Sequence, residues 1–140
     1  QNNAAAGDLV ACAQASCDAE CFGGGPAAES DCEAPAVSPS AGACVDAASP
    51  CNPVTNAGCD AAAGEACDFG ADGFECYPAP NTLMLCEDCT AGDNFCAGGM
   101  TCGGATCAKF CCDDGDCSAG GTCDLEAGGG TVGICVVAAP

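Results

Sequence analysis

Apolar positions in this chain come in short, scattered groups, and only a few stretches carry a readable pattern. From Leu9 to Phe22 the order is L-V-A-C-A-Q-A-S-C-D-A-E-C-F. Leu9, Cys12, Ala13, Ser16, Cys17, Glu20 and Cys21 share one face at i, i+3, i+4 spacing, and the segment is built of good helix formers. Asp8 stands where an N-cap is wanted, Gly23 to Gly25 end the pattern, and Pro26 prevents its return. The pattern predicts an α-helix over 8–22 inside an N-terminal arm, 1–33. Next comes A-P-A-V-S-P-S-A, from Ala34 to Ala41, which predicts an extended Pro/Ser-rich linker over 34–50. Ser38 and Ser40 are open there to O-linked sugar. Tyr77 to Leu85 reads Y-P-A-P-N-T-L-M-L, a Pro-rich loop whose Leu83, Met84 and Leu85 are expected to reach the core. The chain ends T-V-G-I-C-V-V-A-A-P, with β-branched residues that predict a strand. Thr131, Val132, Ile134, Val136 and Val137 are expected to add to a sheet edge, in their own subunit or in the next.

Between these stretches the regular feature is cysteine. Shifted by 21 positions, Cys86 falls on Cys107, Asp93 on Asp114, Cys96 on Cys117, Gly99 on Gly120 and Cys102 on Cys123. The shared unit is D-x-x-C-x-x-G-x-T-C, and a looser version runs from Cys59 to Cys67. Each unit sets two cysteines around a glycine turn, where positive φ is cheap. The expected fold is therefore small and disulfide-rich. One N-terminal α-helix precedes short β-strands and turns in stacked Cys-Gly ribs. The disulfide-rich domain spans 51–140, with repeats near 59–67, 86–106 and 107–127.

Composition explains why cysteine must hold the chain. It has 140 residues, 19 of them Cys, with no Trp, one Tyr and five Phe. Its 49% hydrophobic content is mostly Ala and Cys, which bury little area each. Small exported domains that cannot bury enough apolar surface use disulfides instead. A metal-thiolate reading has little support, because there is no Cys-x-Cys, no His, and a single Cys-x-x-Cys at Cys86 and Cys89.

The net charge of −19, with Lys109 as the one basic residue, excludes nucleic acid as a partner. Anionic membrane surfaces are disfavoured for the same reason, and no apolar stretch is long enough for membrane insertion. Acidity leaves room for divalent cations. Asp113, Asp114 and Asp116 crowd one Cys-flanked turn and form a candidate calcium site, although the rest of an EF-hand is missing. The alternative is an acidic turn in water. Without His or Arg there is no Ser-His or Cys-His pair and no guanidinium clamp, so no enzyme and no cofactor other than calcium is expected.

Two resemblances bear on function. Cys102, Cys107, Cys111, Cys112, Cys117 and Cys123 resemble the C…C…C-C…C…C order of cystine-knot miniproteins. From Cys51 to Cys135 the chain carries C-N-P-V-T-N-A-G-C-D-A-A-A-G-E-A-C, then F-C-C-D-D-G-D-C-S-A-G-G-T-C and G-I-C. In these it resembles uncharacterised cysteine-rich secreted proteins of predatory and soil Gram-negative bacteria, of the myxobacterial type. That likeness implies export and disulfides, and no activity; a secreted chain is expected to have lost a signal ahead of Gln1. The leading expectation is a secreted, non-catalytic structural protein that self-assembles with copies of itself into a fibre or matrix. A secreted binding module (inhibitor, toxin or adhesin) and a calcium-dependent matrix protein are the alternatives. An odd cysteine count leaves one sulfur without a partner in the chain. Cys12, Cys17 and Cys21 are the candidates for inter-subunit disulfides, because they sit on a separable arm.

Overall fold

Among the described residues, regular pairing is confined to strands of two to six residues, the length expected where Gly, Pro and Asp interrupt every apolar run. The structure, a computed structural model, describes residues 28–128 and 130–138. The strands are β1 (Glu29–Ser30), β2 (Ala66–Gly70), β3 (Gly73–Tyr77), β4 (Asn81–Leu83) and β5 (Phe95–Cys96). They continue as β6 (Met100–Gly103), β7 (Thr106–Cys111), β8 (Thr122–Asp124) and β9 (Gly133–Val137). Two three-residue 3₁₀ turns, Ala61–Ala63 and Asp114–Asp116, complete the set. Among the described residues there is no α-helix. The helix expected over 8–22 lies outside them.

β9 is the centre of the main sheet. Val136 is paired with both Ser30 and Thr122, and Ile134 with both Phe110 and Asp124. A strand has two edges, so β8 lies along one while β7 and β1 share the other. Thr131, expected in this strand, is exposed and precedes it, whereas Val132, Ile134 and Val136 are buried. Of the two places expected for this strand, its own subunit or the next, Val136 and Val137 are paired within their own chain, and Ile134 and Val136 have partners on both edges.

Alternation along β7 and β9 sorts the interior into two kinds of core. Ala108 and Phe110 face one way with Val132, Ile134 and Val136, and Val54 joins them. The β2–β3 hairpin closes this side, with Phe69 and Phe74 set edge-on to Phe110 at 5.4 and 6.0 Å between ring centroids. The opposite side collects Cys111, Cys117 and Cys135, all buried, with Cys123 against them. One face is hydrocarbon and the other is sulfur.

Among the described residues, eight disulfides tie Cys32 to Cys86, Cys44 to Cys112, Cys51 to Cys67, Cys59 to Cys76, Cys89 to Cys102, Cys96 to Cys107, Cys111 to Cys123 and Cys117 to Cys135. Six of these form three sets of one order, first to third and second to fourth: Cys51, Cys59, Cys67, Cys76; then Cys89, Cys96, Cys102, Cys107; then Cys111, Cys117, Cys123, Cys135. In every set the third and fourth cysteines are cross-strand neighbours that do not bond each other: Cys67 opposite Cys76, Cys102 opposite Cys107, and Cys123 opposite Cys135. The 21-residue shift placed Cys86 on Cys107. The structure gives these two different work, since Cys86 bonds Cys32 outside the sets while Cys107 closes the second set.

The segment expected as a linker, 34–50, is folded into the compact unit Glu29–Val137. It is made of turns, as its Pro and Ser content dictates, but Cys44 is bonded to Cys112 and the Asn52 side-chain amide donates to the Gly42 carbonyl at 3.1 Å. Composition sets the local turn and says nothing about what covers it. Nor do Ser38 and Ser40 offer free hydroxyls for sugar: Ser38 is buried, and Ser40 Oγ donates to Asp116. Leu83 and Leu85 are only half-buried and Met84 is 60% exposed, so this trio is not core.

Candidate functional site

The acidic turn expected as a candidate calcium site holds the fold through its carboxylates. Asp113 caps the 3₁₀ turn by accepting from Gly115 N at 2.8 Å. Asp114 accepts from Cys123 N, also at 2.8 Å. Asp116 is fully buried: one carboxylate oxygen accepts from Ser40 N at 3.0 Å, the other from Ser40 Oγ at 2.6 Å and Cys112 N at 2.8 Å. Three carboxylates adjacent in sequence thus point to three separate sets of donors. Among the described residues, no three carboxylates bring their oxygens together as a cation would require.

The single cation of the chain is part of the same anchor. Lys109, on β7, is 5% exposed and donates from Nζ to the Asp116 carbonyl at 2.8 Å. Burial pushes its pKa down, against the opposing charges of Asp116 and Asp31. Burial also opposes ionisation of Asp116. The hydrogen bonds from Ser40 and Cys112, together with the Lys109 charge, outweigh it and hold this carboxyl below the usual carboxylate range. Asp31, likewise buried, accepts from Ser118 N at 2.7 Å and Glu33 N at 3.1 Å. Two buried carboxylates therefore fasten the 31–40 segment to the 112–118 turn. Sequence reasoning missed Asp31, Ser40 and Lys109 here, because their partners lie up to 87 residues away and no local pattern marks them.

The sulfur sets also bear on metal chemistry. Cys51, Cys59 and Cys67 hold their sulfurs within 4.8 Å of one another, as do Cys89, Cys96 and Cys107, and Cys111, Cys117 and Cys135. Each group is a disulfide with one sulfur of the neighbouring disulfide against it. A bonded sulfur is not a thiolate, and it is the thiolate that ligates metal.

A cleft of about 510 Å³ is lined by Pro35, Val37, Val54, Met84, Met100 and Lys109 among others. Val37 is 80% exposed at its rim and Met84 60%. Its walls are mostly apolar, with Ser38, Thr55 and Lys109 the polar side chains among them. Ser38, also in the wall, has a buried hydroxyl without a hydrogen-bond partner. Among the described residues no helix is long and apolar enough to cross a membrane.

Comparison with protein-family models, with curated proteins and with solved structures finds no match for this chain.

Proposed function

We propose that the chain is a non-catalytic, secreted structural subunit that assembles with copies of itself, partly through disulfides between subunits. In this reading the three interlaced cysteine sets are repeats of one building unit, the stacked ribs of a cross-linked body. The disulfide content is typical of extracellular proteins, whose compartment keeps such bonds oxidised.

One observation supports the assembly role most directly. The eight disulfides use every cysteine from Cys32 to Cys135, sixteen of the nineteen. Cys12, Cys17 and Cys21 remain, an odd number. At least one of these three sulfurs therefore finds its partner outside these 140 residues or stays a thiol. An oxidising compartment disfavours the exposed thiol, and a contact between copies resolves the parity. Denaturing electrophoresis without reductant tests this. Wild type is expected to run as a ladder that collapses to monomer with reductant, and the Cys12→Ser, Cys17→Ser, Cys21→Ser triple variant as monomer under both conditions. A clean wild-type monomer without reductant defeats the proposal.

The apolar cleft favours a second reading, a secreted binding module that presents this surface on a rigid scaffold. An apolar dye such as ANS, displaced from wild type and not bound by Val37→Asp/Met84→Asp, is its expected signature.

A further inference from the structure

Among the sixteen paired cysteines only two are exposed, Cys32 and Cys102. They belong to different disulfides whose second sulfurs, Cys86 and Cys89, stand three residues apart. The two bonds differ in what holds them closed. Cys102 lies within β6, in register against Cys107 of β7, and its bond spans 13 residues of strand and turn. If that bond is opened, its two sulfurs stay side by side and reclose. Cys32 follows a two-residue strand, and its bond to Cys86 spans 54 residues. Cys86 adds a second feature: its backbone has φ of +64°, a left-handed conformation that costs a non-glycine residue of order 1–3 kcal/mol. Backbone bonds from Cys86 N to the Cys107 carbonyl and from Cys107 N to the Glu87 carbonyl, at 2.8 and 2.9 Å, keep it there.

We propose that Cys32–Cys86 is the thiol-exchange site of this molecule, and that the group it takes is an incoming thiol. The thiolate attacks Sγ of Cys32, the exposed residue of the pair. A mixed disulfide forms at Cys32, the Cys32–Cys86 bond breaks, and the electron pair leaves on Cys86 Sγ, which takes a proton from water. One thiol is consumed and one released, so no oxidant is needed. Exposed Glu33, Glu87 and Asp88 adjoin the two cysteines in sequence, which favours a cationic or uncharged thiol over an anionic one. After exchange, β1 is held to β9 by its two-residue pairing, the Asp31 N to Cys135 carbonyl bond at 3.0 Å, and the Ser30–Thr106 hydroxyl contact at 2.9 Å. Opening the bond therefore removes the covalent tie beside β1, which pairs with β9 at Val136 and Val137 on the edge opposite β8.

The incoming thiol has two possible sources, a small thiol or a cysteine of another copy; the second source rests on the assembly proposed above. Because each exchange returns a thiol, attack by Cys12, Cys17 or Cys21 of one copy on Cys32 of the next extends a chain of subunits without exhausting thiols.

The oxidised full-length protein, treated briefly with the cationic thiol cysteamine, then alkylated and mapped by peptide mass, tests the site. Cysteamine is expected on Cys32 and the alkyl label on Cys86, at least about tenfold faster than at any other pair. First reaction at Cys89–Cys102, or equal reaction across the eight bonds, overturns the proposal. The second arm uses no added thiol. Wild-type oligomers are mapped, and the Cys32→Ser/Cys86→Ser variant is compared with them. Links between Cys32 and one of Cys12, Cys17 or Cys21, absent from the variant, identify the source as another copy. Selective cysteamine exchange with no oligomer at all upholds the site and removes the assembly reading. Oligomers that persist in the variant through Cys12, Cys17 or Cys21 uphold assembly and remove the exchange route to it.

Discussion

β7 carries two kinds of interior on alternate residues, and they hold the fold by different physics. Ala108 and Phe110 meet Val54, Val132, Ile134 and Val136 in a hydrocarbon layer. Cys107 and Cys111 point the other way, into bonds that reach β5 and β8. The hydrocarbon layer contains one fully buried aromatic ring and a few small aliphatics, so its cohesion scales with a modest area. The sulfur layer works less through area than through covalent closure. It restricts the unfolded chain, and the fold it selects is the one whose loops close. A chain with so little to bury can still be ordered if covalent closure replaces contact area. The hydrocarbon layer then chooses which way the strands face.

The largest effect that would break this comparison is complete reduction. Each disulfide contributes roughly 2–4 kcal/mol, so eight together exceed what the apolar layer supplies. Reduction with a phosphine in native buffer is expected to abolish the β signal in circular dichroism. A reduced chain that still unfolds cooperatively would mean that the hydrocarbon layer stands alone. Next comes Phe110→Ala with the disulfides intact. It removes the ring that Phe69 and Phe74 pack against, at a cost of about 3–5 kcal/mol read from the guanidinium midpoint. An unchanged disulfide map in that variant would separate the two layers cleanly, and scrambled pairing would show that hydrocarbon sets the register for sulfur. Smaller is Asp116→Asn, which weakens the polar anchor beside the sulfur layer by about 1–3 kcal/mol at neutral pH. The Asp116 carboxyl is held below its ordinary range in the folded state. Its contribution is therefore fully present above the unfolded carboxylate value and is lost as pH falls through the folded one. Acid titration of wild type against the variant should show the difference shrinking below about pH 4.

Much of the class was legible in the sequence, and little of the connection. The lack of any long apolar run, with nineteen cysteines and no histidine, pointed to a small disulfide-rich fold of short strands. The β-branched run near the C-terminus marked a strand, but its place at the centre of the sheet depends on Ser30, Phe110 and Thr122, which no local pattern links to it. Spacing could not give the pairing either. Cys67 and Cys76 lie opposite each other on a hairpin, and proximity alone would have joined them, yet each bonds a cysteine earlier in the chain. Three aspartates in four positions suggested a shared ligand; which of them is swallowed by the fold was decided by Ser40, 76 residues upstream.

The interlacing of the bonds has a consequence for wear. The spans Cys32–Cys86, Cys44–Cys112, Cys111–Cys123 and Cys117–Cys135 overlap end to end without a gap. Hydrolysis of any one peptide bond between Cys32 and Cys135 therefore severs the backbone and releases nothing. A protease can nick this chain, and the nicked chain remains a single covalent body.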